Sequence, residues 1–202
     1  MIVLVRHGQT RGNVERVLQV PETPLSEEGL AQAARLGERL ASLDVGRILA
    51  SDYARAHTTA EAVRKTTGAP LELDPGLRER HFGDLRGMPY ADLPEDPFGP
   101  DYVPPGGESW QDLHERVDAV WERIVAARAV TEGALVVVTH GLVCHSLASR
   151  ILTLDPEGAP PRGFGNTSVT LIDPAPPWQV RLLACTAHLA EDGPGSGGLL
   201  QA

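Results

Sequence analysis

Short apolar runs alternate with longer amphipathic stretches along this chain, a pattern that predicts strands alternating with helices. Met1–Val5 is aliphatic throughout and reads as a strand buried on both faces, as in a parallel sheet. A helix follows, with Ser26 as its N-cap, Glu27 and Glu28 in its first turn, and Leu30, Ala33, Ala34, Gly37, Leu40 and Ala41 as its apolar face. Arg47–Ser51 predicts a second strand, leading into a helix over Asp52–Lys65 with Asp52 as candidate cap, and Leu71–Leu73 predicts a third. From Pro75 to Gly107 the periodicity stops: prolines and glycines recur, and acidic residues gather at Asp92, Glu95, Asp96 and Asp101. Long irregular segments in compact domains usually carry function, so this stretch is read as a lid over the active edge. Regular patterning then resumes. Ser109 and Asp112 form a capping-box-like start to a helix reaching about Ala129, whose buried face is Leu113, Val117, Val120 and Ile124. Leu135–Thr139 predicts a strand, Leu142–Leu152 a helix, and Asn166–Ile172 and Val180–Ala184 two late strands. Glu191–Ala202 is Gly-rich and predicts a flexible C-terminal tail.

With 202 residues, 42% of them hydrophobic and 22% charged, the chain reads as one globular domain. Its formal net charge of -9 argues against a general nucleic-acid or anionic-membrane surface. No apolar run is long enough to cross a bilayer, and Met1 leads directly into a strand where a signal peptide would stand, so a cytoplasmic protein is expected. Cys144 and Cys185 are too few for a disulfide framework and lack metal-ligand spacing; free thiols are expected.

Two of the predicted strands end in the same way. The first runs into Arg6-His7-Gly8 and a donor-rich loop containing Thr10 and Asn13; the strand before Thr139 runs into His140-Gly141. Ligands of open α/β sheets bind at the carboxyl ends of the strands, so the pattern can place two imidazoles at one sheet edge. An arginine beside donors suits an anion, and the helix starting at Leu142 adds a positive dipole end. On spacing alone Arg55 reads as a solvated helix arginine and Glu79 as a surface carboxylate between Arg78 and Arg80. His114, His145 and His188 are read as structural or solvated rather than catalytic. The seven histidines contain no paired motif with ligand spacing, which makes a metallohydrolase the weaker enzyme alternative.

These residues together resemble the histidine phosphatase superfamily, the phosphoglycerate-mutase-like proteins. The resemblance is carried by Arg6-His7-Gly8 with Thr10 and Asn13, by the segment Ser51 to Ala60, by Leu77-Arg78-Glu79 with Phe82-Gly83, by Pro105 to Ser109, and by Thr139-His140-Gly141. It implies a three-layer α/β/α sandwich with a mostly parallel central sheet and an irregular lid insertion, built on one domain over residues 1–190 with the lid at about 75–108. It also implies a metal-independent, cofactor-free phosphoric monoester hydrolase of the histidine acid phosphatase type, acting on a small phosphate monoester. In that reading His7 is the nucleophile, Glu79 the proton donor, and Arg6, Arg55 and His140 the phosphate charge partners. Gly8, Thr10, Asn13 and Gly141 are secondary contacts, and no metal ligand is expected. His57 stands where glutamine is common in the family, and Arg86 where an acidic residue is usual; neither receives a role. A cofactor-dependent phosphoglycerate mutase and a non-catalytic phospho-ligand binding module remain as alternatives. The acidic lid argues against the mutase. The oligomeric state is open, a homodimer included.

Overall fold

The computed structural model describes residues 1–93, 95–154, 161 and 163–190. The predicted tail over 191–202 lies outside them. Six strands form one sheet: β1 (Ile2–Arg6), β2 (Val45–Ala50), β3 (Leu71–Leu73), β4 (Ala134–Thr139), β5 (Val169–Ile172) and β6 (Val180–Cys185), in the spatial order β3-β2-β4-β1-β5-β6. The pairings β3-β2, β2-β4 and β4-β1 are parallel, while β5 runs antiparallel to β1 and β6 antiparallel to β5. The helices are α1 (Arg11–Val14), α2 (Glu27–Leu40), α3 (Ala54–Thr67), α4 (Trp110–Val130) and α5 (Gly141–Arg150).

Strand alternation divides the core between two faces. Ile2, Leu4, Leu135 and Val137 point to one face and pack with α4 and α5; Val3, Val5, Val136 and Val138 point to the other and pack with α2 and α3. That arrangement is the expected three-layer sandwich. β1 and β4 lie side by side, with Arg6 opposite Thr139, so the residues that follow each strand emerge together at one edge.

Ser26 caps α2 by accepting the Gly29 N–H, and Ser109 with Asp112 forms the full capping box of α4. Two expectations need correction. The buried stripe of α2 is Gly29, Gln32, Ala33, Leu36, Gly37 and Leu40, whereas Leu30 and Ala34 face solvent. The N-cap of α3 is Tyr53, without a side-chain cap, because the Asp52 carboxylate is taken by the Arg78 guanidinium.

Among its described residues the lid has neither α-helix nor strand, and its regular elements are 3₁₀ turns at Pro75–Leu77, Gly83–Leu85 and Tyr90–Asp92. It has a small core of its own, in which Leu18, Phe82 and Leu85 are buried against Tyr90, Phe98, Tyr102 and Leu142. Arg80 is the linchpin. It is 1% exposed, donates to the carbonyls of Glu108, Pro97 and Tyr102, and is stacked on the rings of Phe82 and Trp110. Asp92, Glu95, Asp96 and Asp101 are all exposed, so this acidic cluster belongs to the outer surface of the lid. Among the described residues no helix is long and apolar enough to cross a membrane.

Candidate active site

Arg6 ends β1, and His7 follows with its N–H on the Thr139 carbonyl at 2.9 Å, which ties the loop to the end of β4. His140 sits next to Thr139 as the N-cap of α5. The two imidazoles lie 5.1 Å apart, centroid to centroid, and are fully or almost fully buried.

Each ring has one nitrogen fixed by a neighbour. His7 Nδ1 lies 2.7 Å from the Gly8 carbonyl oxygen, which can only accept, so Nδ1 carries the proton and Nε2 keeps its lone pair. His140 Nε2 lies 2.8 Å from Ser51 Oγ, and that hydroxyl already accepts the Tyr53 N–H. Among the described residues the Ser51 hydroxyl has no other acceptor, which assigns its proton to Nε2 and the His140 proton to Nδ1. Burial, reinforced by the positive charge of Arg55, holds both imidazoles well below the usual histidine range; Arg6 adds to the effect on each, and for His140 so does His7. His140 is thus a neutral N–H donor rather than the cation expected from sequence.

The arginines are positioned through backbone carbonyls. Arg6 Nη1 donates to the carbonyl of Phe164, and Arg55 Nη1 to that of Val20 at 3.1 Å. Burial pulls the Arg55 guanidinium down to about 10, which leaves it charged at neutral pH. The buried Arg6 Nε, Arg55 Nε and His140 Nδ1 have no hydrogen-bond partner among the described residues.

Glu79 follows the Pro75–Leu77 turn and enters the same site. Its Oε1 accepts the Arg80 N–H at 3.1 Å and its Oε2 the Leu142 N–H at 3.2 Å. One of the free donors expected at the start of α5 is thereby occupied. Desolvation raises the Glu79 pKa, against the opposing pull of these N–H groups and of Arg55 and Arg6. Gly141 lies between the two groups: a Cβ there would stand 3.6 Å from Arg6 Nε and 3.8 Å from Glu79 Oε2.

The secondary positions are more internally committed than their polar character suggests. The Gly8 N–H donates to Thr59 Oγ1 at 3.0 Å, and a Cβ at Gly8 would come within 2.7 Å of the Gly29 carbonyl. Thr10 is fully buried as the N-cap of α1, its hydroxyl shared between Asn13 and Gln19. Asn13 Oδ1 accepts from Thr10 and from Asn166, whose amide also donates to the His7 carbonyl at 3.1 Å. Thr59, Gln32 and Asn166 therefore orient the histidine loop and Ser51 orients His140, roles that local sequence does not assign; Gln32 Oε1 accepts the Gln9 N–H at 2.9 Å. Ser51 and Thr59 fall within the motif segment, but the geometry that makes them supports becomes visible only on folding.

The other histidines lie elsewhere. The His57 side chain is 43% exposed and lies 3.5 Å from Glu61. His114, read as solvated, is instead bonded to Ser146 Oγ at 2.8 Å. His188 bridges Arg39 and Thr167, and burial with the Arg39 charge lowers it to about 4. Beside Glu79 lies a cavity of about 290 Å³ bounded by Tyr53, Gly76, Arg78, His81, Glu108 and Arg116 among others. A wider, open depression of about 640 Å³ between Asp44, Arg47, Glu72 and Glu132 sits at the opposite sheet edge, away from both histidines.

The profile of the histidine phosphatase superfamily, branch 1, matches residues 2–185. The chain belongs to this superfamily. It is 33% identical over 183 residues to the "Probable phosphoglycerate mutase GpmB" of Salmonella choleraesuis (strain SC-B67), covering 85% of this chain and 84% of that protein. Among solved structures it resembles the mycobacterial glucosyl-3-phosphoglycerate phosphatase, with TM-score 0.70, 32% identity and coverage of 84% of this chain and 87% of the other. It also resembles the phosphoglycerate mutase of Bacillus anthracis str. Sterne, with TM-score 0.78, 25% identity and coverage of 93% of each chain. A phosphatase and a phosphoglycerate mutase thus share this fold.

Proposed function

We propose that this histidine phosphatase superfamily member hydrolyses phosphate monoesters of a small metabolite through a phosphohistidine, without a metal ion. The observation that carries the reading is the grouping of three buried donors that have no partner among the described residues, Arg6 Nε, Arg55 Nε and His140 Nδ1, around a histidine whose Nε2 lone pair is freed by the Nδ1 contact to Gly8. Phosphoryl transfer requires alignment and preorganised positive charge, because the transferring group spreads negative charge over its equatorial oxygens. Arg6 and Arg55 supply the charge, and His140 supplies a neutral donor. In the reaction His7 Nε2 forms a bond to phosphorus while the ester P–O bond breaks and the leaving oxygen takes the proton of Glu79. Water then attacks the phosphohistidine and gives a proton to Glu79 carboxylate, which releases inorganic phosphate and restores both groups.

Hydrolysis is preferred over mutation because the two arginines that line the cavity beside Glu79 are each paired with a carboxylate, Arg78 with Asp52 and Arg116 with Glu108. A mutase must hold a bisphosphate intermediate long enough for it to reorient. The test is phosphate release from p-nitrophenyl phosphate and a panel of alkyl monoesters by wild type and His7→Ala, in excess chelator. Activity in wild type alone, with an acid-labile phosphoenzyme on quenching, is expected. Activity lost to chelator and restored by a divalent metal would falsify the metal-free mechanism. Formation of 2-phosphoglycerate from 3-phosphoglycerate and a trace of 2,3-bisphosphoglycerate, faster than phosphate release, would replace hydrolysis with mutation.

A further inference from the structure

The surroundings of Arg86 are electrostatically unsatisfied. Its Nη2 donates to Tyr53 Oη at 2.6 Å, and its Nη1 lies 2.9 Å from His81 Nε2. The second contact conflicts with the rest of the His81 ring, since His81 Nδ1 already accepts the Gly83 N–H at 2.9 Å. A neutral imidazole has one acceptor nitrogen and a protonated one has none. With Nδ1 accepting, Nε2 must bear the proton, so Arg86 and His81 present N–H groups to each other. Among the described residues no carboxylate lies within salt-bridge distance of Arg86, in contrast to Arg78 and Arg116. The Tyr53 hydroxyl, having accepted from Arg86, has its own proton to donate. One cation without a carboxylate partner and two further donors thus converge, an arrangement that suits an acidic acceptor.

The place matters as much as the charge. Tyr53 packs edge-on against His140 at 5.4 Å, and the Arg55 guanidinium lies 5.3 Å from the Tyr53 ring centre. His81 and Tyr53 both border the cavity beside Glu79, and in the proposed reaction the alcohol that Glu79 protonates lies next to that carboxylate. Arg86 and His81 are only partly buried and so remain reachable.

We propose that Arg86, with Tyr53 and His81, forms a subsite for an acidic group on the leaving-group half of the substrate, and so selects phosphate monoesters whose alcohol carries a carboxylate or a second phosphate. This deepens the hydrolase reading and rests on it only for the direction in which the alcohol lies. The cluster has one net cation, which favours a single extra acidic group.

Binding measured by calorimetry on full-length His7→Ala, which cannot form the phosphohistidine, tests the subsite without turnover. The ligands are 3-phosphoglycerate and glycerol 3-phosphate, which differ by a carboxylate in place of a hydroxymethyl group, and 1,3-propanediol bisphosphate. 3-Phosphoglycerate should bind at least about tenfold tighter than glycerol 3-phosphate, a preference that Arg86→Met collapses to about one and Arg86→Lys partly retains. If the bisphosphate gains more than 3-phosphoglycerate from the presence of Arg86, the acidic group is a phosphate; if less, a carboxylate. Equal affinity for the first two ligands, or a ratio unmoved by Arg86→Met, overturns the subsite. Failure of wild type to release phosphate from any monoester would instead reject the hydrolase reading and leave these affinities interpretable.

Discussion

Replacing Glu79 by glutamine separates its role as acid from its role as a structural acceptor. The carboxylate is buried, its two oxygens accept from Arg80 and Leu142, and desolvation raises its pKa. A phosphate dianion approaching Arg6 and Arg55 offsets the cations that oppose this rise, so the bound state favours the protonated acid further. Glutamine preserves shape and one acceptor oxygen but has no proton of comparable acidity to give. General acid catalysis contributes about 10²–10⁴-fold, roughly 3–5 kcal/mol of barrier, where the leaving group is an alkoxide. It contributes far less for p-nitrophenolate, a stable anion that leaves unprotonated. The assay is kcat/KM of wild type and Glu79→Gln for glycerol 3-phosphate and p-nitrophenyl phosphate. A hundredfold or greater loss on the alkyl ester, with no more than about a tenfold loss on the aryl ester, is expected. Equal losses on both would show that the substitution disturbs phosphate alignment and that Glu79 is not the acid.

Arg6→Ala and Arg55→Ala should each reduce kcat by about a hundredfold or more, near 3 kcal/mol, with lysine restoring only part; a near-wild-type rate excludes that arginine from phosphate stabilisation. Stability should decline as pH falls from 6.5 towards 5, read as the calorimetric Tm. His7, His140 and His188 have folded pKa values below those of the unfolded chain, which therefore takes up protons that the fold refuses. Glu79 acts in the opposite sense, because the folded state keeps its proton to higher pH than the unfolded chain does; a Tm that is flat over this interval contradicts the buried neutral histidines. Arg80→Met should strand the lid carbonyls of Pro97, Tyr102 and Glu108, lowering stability by about 3 kcal/mol and exposing residues 81–108 to protease, whereas an unchanged Tm and cleavage pattern would deny Arg80 its role in seating the lid.

What could be read from sequence depended on whether one segment or two decided the outcome. β1 and β4 were legible because uninterrupted aliphatic runs end in His-Gly, and buried parallel strands have that composition. The face of α2 was misread because close backbone approach, rather than side-chain hydrophobicity, sets its rotation. A Cβ at Gly37 would lie 2.9 Å from the Ala62 carbonyl of α3 and one at Gly29 1.9 Å from the Gln9 carbonyl, so the glycines of α2 set its close approaches to α3 and to the histidine loop, and Leu30 is turned outward. Asp52 was expected to cap α3, but Arg78, far along the chain, supplies a guanidinium that outcompetes the backbone N–H groups. Arg80 and the lid acids failed for a related reason: nothing local distinguishes an arginine stacked between Phe82 and Trp110 from a solvated one, or an outward-facing aspartate from an inward one.

Within the site, one physical quantity sets three protonation states. Burial penalises charge, so it lowers His7 and His140 and raises Glu79, although these groups belong to three different segments. The same burial lowers Arg55 only to about 10, because guanidinium starts so far above neutrality. At neutral pH a dry pocket of this composition therefore favours a neutral imidazole for attack, an acid biased towards keeping its proton, and arginines that stay charged for the phosphate. Water admitted to the pocket would return all of these groups towards their ordinary values at once. Lid contacts remote from phosphorus are thereby tied to the chemistry, since Arg80, which seats the lid, is the residue next to Glu79 and gives its N–H to that carboxylate.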